Sequence, residues 1–92
     1  MASTLRLRIT GRVQGVGFRA WAIGRAVEFG LRGWVRNRGD GSVEALATGA
    51  AERVAAFAAA CRSGPSGARV SEVVTSPAED DESTGFTARP TL

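Results

Sequence analysis

The order in which apolar periodicity changes along this 92-residue chain limits its fold more than any other feature. Leu5, Leu7 and Ile9 alternate with Arg6, Arg8 and Thr10, the two-residue period of a half-buried strand over Leu5–Thr10. Phe18, Ala22, Ala26 and Phe29 then recur at helical spacing, and Gly30 supplies the stop after a helix end. Leu31–Arg38 returns to the strand period, with Leu31, Gly33, Val35 and Asn37 on one face. Asp40–Gly41 marks a hairpin, after which Val43, Ala45 and Ala47 line one side of a strand over Ser42–Thr48. Val54, Phe57, Ala58 and Cys61 form a second helical stripe between about Ala50 and Arg62, closed by Gly64–Pro65. Ala68–Thr75 predicts a fourth strand, and the acidic run Ser76–Gly85 a mobile loop. Phe86–Arg89 adds a short edge strand that Pro90 ends.

That order, βαββαβ with no repeat and no linker, predicts a single α+β domain over residues 1–92. The arrangement is a ferredoxin-like two-layer sandwich, with a largely antiparallel sheet and both helices on one face. Its first strand, first helix and second strand make a crossover unit, so the two strands run parallel and end at the same edge. The segment after strand one is thereby brought beside Asn37, at the end of strand two. Asn37 shares a face with Leu31 and Val35, the side the helices cover, which aims its amide at the start of the first helix. A turn-initiating asparagine before Arg38–Ser42 is the plainer reading of the same residue.

Strand one leads into GRVQGVGFR, Gly11 through Arg19. Gly15 and Gly17 admit positive φ and let backbone N–H groups approach a ligand closely. Successive N–H groups running into a helix N-terminus make a concavity for an oxyanion. Arg19, on the first helical turn, adds a planar fork of donors. The predicted phosphate cradle is thus Gly11, Arg12, Val13, Gln14, Gly15, Val16 and Gly17 together with Arg19. The spacing matches neither the lysine-containing phosphate loop, since the chain has no lysine, nor the dinucleotide GxGxxG pattern. A glycine-rich strand-to-helix turn with an exposed arginine is the alternative.

Composition narrows the chemistry. All twelve cationic residues are arginine, and histidine and tyrosine are absent, so triads, Schiff bases and histidine metal ligands are excluded. Residues 1–38 carry eight arginines and one acid, residues 39–92 four arginines and eight acids, giving +3 in all. A basic front half suits a small anion or a nucleic acid. The single Cys61 lies in the second helical stripe and reads as a core residue; it fits a reducing cytoplasm. The acids from Glu79 to Glu82 read as solvated rather than metal-binding.

GRVQGVGFR followed by GLRGWVRN (Gly30–Asn37) closely resembles the acylphosphatase family. The likeness continues through Asp40–Glu44, Gly64–Pro65, Ala68–Val70 and Phe86, covering about Leu5 to Arg89. It implies metal-free, cofactor-free hydrolysis of acyl phosphates to carboxylate and inorganic phosphate. Carried over by motif position, Arg19 and the loop N–H groups bind the phosphoryl group and Asn37 orients the attacking water. A site of arginine, amide and backbone has no general base, so its reaction needs water as nucleophile and a leaving group that departs without a proton. A carboxylic–phosphoric anhydride meets that requirement. Two departures from the family pattern stand out: Ala22, where many relatives have threonine, and Ser66–Gly67 after Gly64–Pro65.

The expected partners are therefore an acyl phosphate and inorganic phosphate, with a monomer, no membrane and no nucleic acid. An RNA-binding ferredoxin-like domain stacks bases on its central strands, but strands one and three carry no aromatic residue. The remaining rival is a non-catalytic or carbamoyl-phosphate-binding module like those that begin large maturation enzymes. A chain ending at Leu92 without a linker favours an independent enzyme.

Overall fold

The computed structural model describes residues Met1–Leu92. The elements are β1 (Ala2–Arg12), α1 (Phe18–Glu28), β2 (Arg32–Asn37), β3 (Val43–Ala50), α2 (Ala51–Ser63), β4 (Arg69–Pro77) and β5 (Phe86–Ala88). They form one five-stranded sheet in the order β4-β1-β3-β2-β5. All neighbours are antiparallel except β2 and β5, which are parallel. This is the ferredoxin-like α+β fold. The strands run beyond the apolar alternation because pairing continues where the side chains are already polar. Ser3 and Thr4 are matched to Gly49 and Thr48, and Ser76 to Arg6. No helix is long and apolar enough to cross a membrane.

One face of the sheet supplies Leu7, Ile9, Val35, Val43, Ala45 and Ala47 to the core. Against them lie Phe18, Ala22 and Ala26 of α1 and Val54, Phe57, Ala58 and Cys61 of α2. Burying each of the larger side chains contributes roughly 1.5–3 kcal/mol. Alanines on β3 and on both helices let the two layers approach closely. Cys61 is fully buried, and that burial pushes its thiol up to about 12, so it is a packing group rather than a nucleophile. Ala22 is part of this core.

The end of α1 follows from its sequence. Gly30 donates to the Val27 carbonyl at 3.0 Å and Leu31 to the Ala26 carbonyl at 2.9 Å, a Schellman closure with buried Leu31 packed beneath it. The chain is thereby turned directly into β2.

The other face of the sheet has no helix over it. Glu44 lies buried there under Arg6, Arg36 and Arg38, the last two at 2.7 and 3.1 Å. Burial alone would raise the Glu44 carboxyl; hydrogen bonds from Arg36, Arg6 and Arg38 outweigh it and hold the group below its ordinary value. Trp34 is covered too, with the guanidinium groups of Arg36 and Arg89 at 4.7 and 4.9 Å from its ring. Its ring has no face left for a base.

The acidic segment after β4 departs from the expected mobile loop. Asp80 takes two hydrogen bonds from Arg32, at 3.1 and 2.5 Å, and Asp81 accepts from the Trp34 indole N–H at 3.1 Å. Arg89 reaches Asp81 at 3.2 Å, and both aspartates also accept from backbone N–H groups two residues on. Glu79 to Glu82 are exposed, as composition suggests, but two of the residues that hold the loop, Arg32 and Trp34 on β2, lie more than forty residues away in the chain.

Candidate active site

Both β1 and β2 are antiparallel to β3, so they are parallel to each other, and Val43 pairs with Ile9 on one side and Asn37 on the other. Asn37 and the end of β1 are thus separated only by the width of β3. Val43 belongs to the core, so Asn37 in the same row turns its side chain to the helix side. Its neighbours Arg36 and Arg38 point the opposite way, to Glu44, which holds the strand end in that orientation. The Asn37 carbonyl accepts from Leu92 N–H at 3.1 Å.

β1 does not end where the sequence suggested. After a bulge at Thr10 and Gly11 it keeps pairing with β4, Gly11 to Val70 and Arg12 to Arg69. Gly11, at φ +117°, is there for close approach: a Cβ would stand 2.3 Å from the Arg69 carbonyl oxygen. Gly11 and Arg12 are therefore strand residues and, like Gln14 and Val16, are not among the residues that line the cavity. The irregular loop starts at Val13.

From there the loop is anchored at both ends. Val13 is buried in the core and Val16 packs against it. Gly15 and Gly17 take φ of +73° and +80°, and an added Cβ at either would meet no neighbour. The glycines are thus required by the turn rather than by crowding. None of the N–H groups from Val13 through Ala20 donates to a backbone carbonyl. Gly17 is the N-cap of α1 and offers no side-chain cap, and the first turn contains no acid. The positive end of the helix is left to whatever anion enters.

Gly15, Gly17, Arg19 and Asn37 line one cavity of about 320 Å³. Seven arginines form ion pairs: Arg6, Arg8, Arg25, Arg32, Arg36, Arg38 and Arg89. Arg19 is in none of them, and it is exposed. Its five N–H donors have no protein partner.

Two features of the site were not foreseen. The Gln14 side chain turns away from the cavity and donates to the carbonyls of Arg38 at 2.8 Å and Ser42 at 2.9 Å. It staples the loop to the base of the β2–β3 hairpin, whose own closure is Arg38 N–H to Ser42 O at 2.8 Å. The second is an apolar wall of Ala20, Ile23 and Ala88 beside the polar residues. A glutamine beside glycines signals neither, and Ala88 joins the site only because β5 pairs with β2.

These elements define a ferredoxin-like domain with a loop of unpartnered N–H groups, an unpaired guanidinium and an amide around one cavity. A family model for acylphosphatase matches residues 5–88. The chain is 48% identical over 87 residues to the acylphosphatase of Rhizorhabdus wittichii, covering 95% of this chain and 88% of that one. It is 50% identical over 93 residues to that of Azorhizobium caulinodans, covering both chains fully. The crystal structure of acylphosphatase from Bacillus subtilis superposes with a TM-score of 0.91 at 33% identity, over 97% of this chain and 99% of that chain. The chain belongs to the acylphosphatase family, hydrolases that act on acid anhydrides.

Proposed function

We propose that residues 1–92 work as one acylphosphatase domain in which Arg19 and the N–H groups of Val13 to Gly17 hold the phosphoryl group and Asn37 holds the attacking water. The observation that carries this reading is that residues with unpartnered donors line one cavity: Val13, Gly15 and Gly17 of the loop, the helix N-terminus and Arg19. An anion left without them would face no other charge in that cavity.

In the reaction, water held by the Asn37 amide attacks phosphorus in line with the bridging oxygen. The P–O bond to the acyl group breaks, and its electron pair leaves with the carboxylate. The water proton passes to a phosphoryl oxygen, so carboxylate and dihydrogen phosphate form without a protein base. Negative charge stays on oxygens that fixed donors already face, and such donors need no reorganisation as the reaction proceeds. Gln14 keeps loop and hairpin in register, and with them Arg19 and Asn37.

The test is phosphate release from benzoyl phosphate and acetyl phosphate, with and without a chelator. Release above the uncatalysed rate, unchanged by chelation and competitively inhibited by inorganic phosphate, is expected. Activity that disappears on chelation and returns with a divalent cation would refute the metal-free mechanism.

A further inference from the structure

Asn37 lines the cavity, yet its side chain makes no hydrogen bond inside the protein; beyond the strand ladder it is tied only through its carbonyl, to Leu92 N–H. The direction of its amide is therefore set by the backbone, and the backbone here is held from the opposite face of the sheet. Arg36 and Arg38, the residues on either side, both donate to one carboxylate oxygen, Glu44 Oε1, at 2.7 and 3.1 Å. The other oxygen, Oε2, accepts from Arg6 on β1. Glu44 sits on β3 between those two strands, opposite Arg8 on one side and Arg36 on the other. It is 1% exposed and is the only buried charged residue of the chain.

Side chains alternate between the two faces of a strand, so pinning residues 36 and 38 to one face aims residue 37 at the other. β2 ends at Asn37, and just past it Arg38 is held by its backbone to Ser42 and by its side chain to Glu44. A buried ion cluster is a weak source of stability, since apolar side chains of similar volume often serve as well. What they do not supply is direction. One carboxylate oxygen shared by residues 36 and 38 leaves the peptide units between them little freedom to turn.

We propose that Glu44 is a positioning residue for the hydrolytic reaction: from the far face of the sheet, through Arg36 and Arg38, it keeps the Asn37 amide aimed at the attacking water. The inference rests on Asn37 holding that water, as proposed above. The phosphate loop does not depend on Glu44, because Gln14 ties it to the backbone carbonyls of Arg38 and Ser42 rather than to their side chains.

The experiment is Glu44→Met, made in the wild type and in Asn37→Ala, with turnover and KM measured on benzoyl phosphate. Methionine keeps the length of the side chain and removes both oxygens, and the three arginines, all partly exposed, turn to water. In the wild-type background turnover should fall by about tenfold or more, within the roughly 10²-fold that a 1 Å misplacement costs. KM and phosphate affinity should change much less. In Asn37→Ala the same substitution should alter turnover by no more than about twofold, because the group it positions is gone. Unaltered turnover in the wild-type background, or an equal loss in both, would overturn the assignment. Should Glu44→Met fail to fold, Arg38→Met leaves the carboxylate with Arg6 and Arg36, releases one side of Asn37, and is judged by the same two outcomes on a smaller scale. If Asn37→Ala keeps its turnover, or the protein does not hydrolyse the substrate, nitrogen-15 relaxation of the Asn37 side-chain amide decides. A more mobile amide in the variant would uphold the positioning by Glu44 and remove the water-holding role of Asn37; unchanged mobility would remove the positioning.

Discussion

Two loops of this molecule treat their polar groups in opposite ways. Between β4 and β5, Asp80 and Asp81 are held by Arg32, Trp34 and Arg89, and Ser83 by both its N–H and its hydroxyl. Between β1 and α1, the N–H groups from Val13 onward have no carbonyl partner, and Arg19 has no acid. Both segments look polar and irregular in the sequence, yet one is satisfied internally and the other is left open. Unmade hydrogen bonds cost folding energy unless water or a ligand completes them. A loop that leaves so many donors open, anchored by Val13, Val16 and the Gln14 staple, is what the proposed phosphoryl site requires.

The largest effect should come from Arg19→Ala. Removing the one cation of the open loop is expected to lower kcat/KM by roughly 10³-fold or more, the scale of an arginine that stabilises a transferring phosphoryl group. Phosphate affinity measured by calorimetry should fall with it. Lysine should restore little, because a point charge does not replace the fork. A wild-type phosphate affinity in Arg19→Ala would remove the contrast between the loops.

Asn37→Ala should act differently. The residue is assigned to the water, so turnover should drop by about 10²–10³ while phosphate still binds. More than about a tenth of wild-type turnover would reduce Asn37 to a hairpin residue.

Smaller again is Gln14→Leu. The Ser42 carbonyl keeps its bond from Arg38 N–H, but the loop loses its tie to the hairpin. A stability cost of about 1 kcal/mol is expected from urea unfolding. Turnover should fall by about tenfold or more with KM changed less, since the loss is one of mutual position. Unaltered turnover would mean that the loop holds its place without the staple.

Least affected should be activity in Asp80→Asn with Asp81→Asn, because the closed loop serves only itself. Hydrogen bonds from Arg32 lower the Asp80 carboxyl, and those from Ser83 lower Asp81. A depressed carboxyl stabilises the fold fully above its unfolded value, near 3.8, and loses that contribution as pH falls through the folded value. Amide protection around Gly85 should therefore weaken below that pH in the wild type, and much less in the double variant. Equal acid sensitivity in both proteins would show that these carboxylates do not hold the loop.

How much of this was legible beforehand depended on where the partners lay. The element order was plain because apolar periodicity is local, and it placed Arg19 and Asn37 at one edge through connection rules alone. The strand ends were not, since Gly11 and Arg12 pair with β4, more than fifty residues further on. The anchoring of Asp80 and Asp81 was hidden for the same reason. Gln14 was legible as a loop residue, but its side-chain tie to the hairpin, like the place of Ala88 beside the cavity, comes from tertiary contacts that local spacing does not carry. Charge balance told of a basic front half, but not that seven of the twelve arginines are held by five acids, three of them by Glu44 alone, while Arg19 is among those without an acid partner.

The most direct measurement is a titration of the nitrogen-15-labelled protein with inorganic phosphate, followed through backbone amide and arginine side-chain resonances. The amides from Val13 to Ala20 and the Arg19 Nε–H should shift together and saturate at one affinity, while Asp80 to Gly85 stay still. Shifts that instead gather around Arg6 and Arg8 on the open face, or loop amides that do not move at saturating phosphate, would contradict the account.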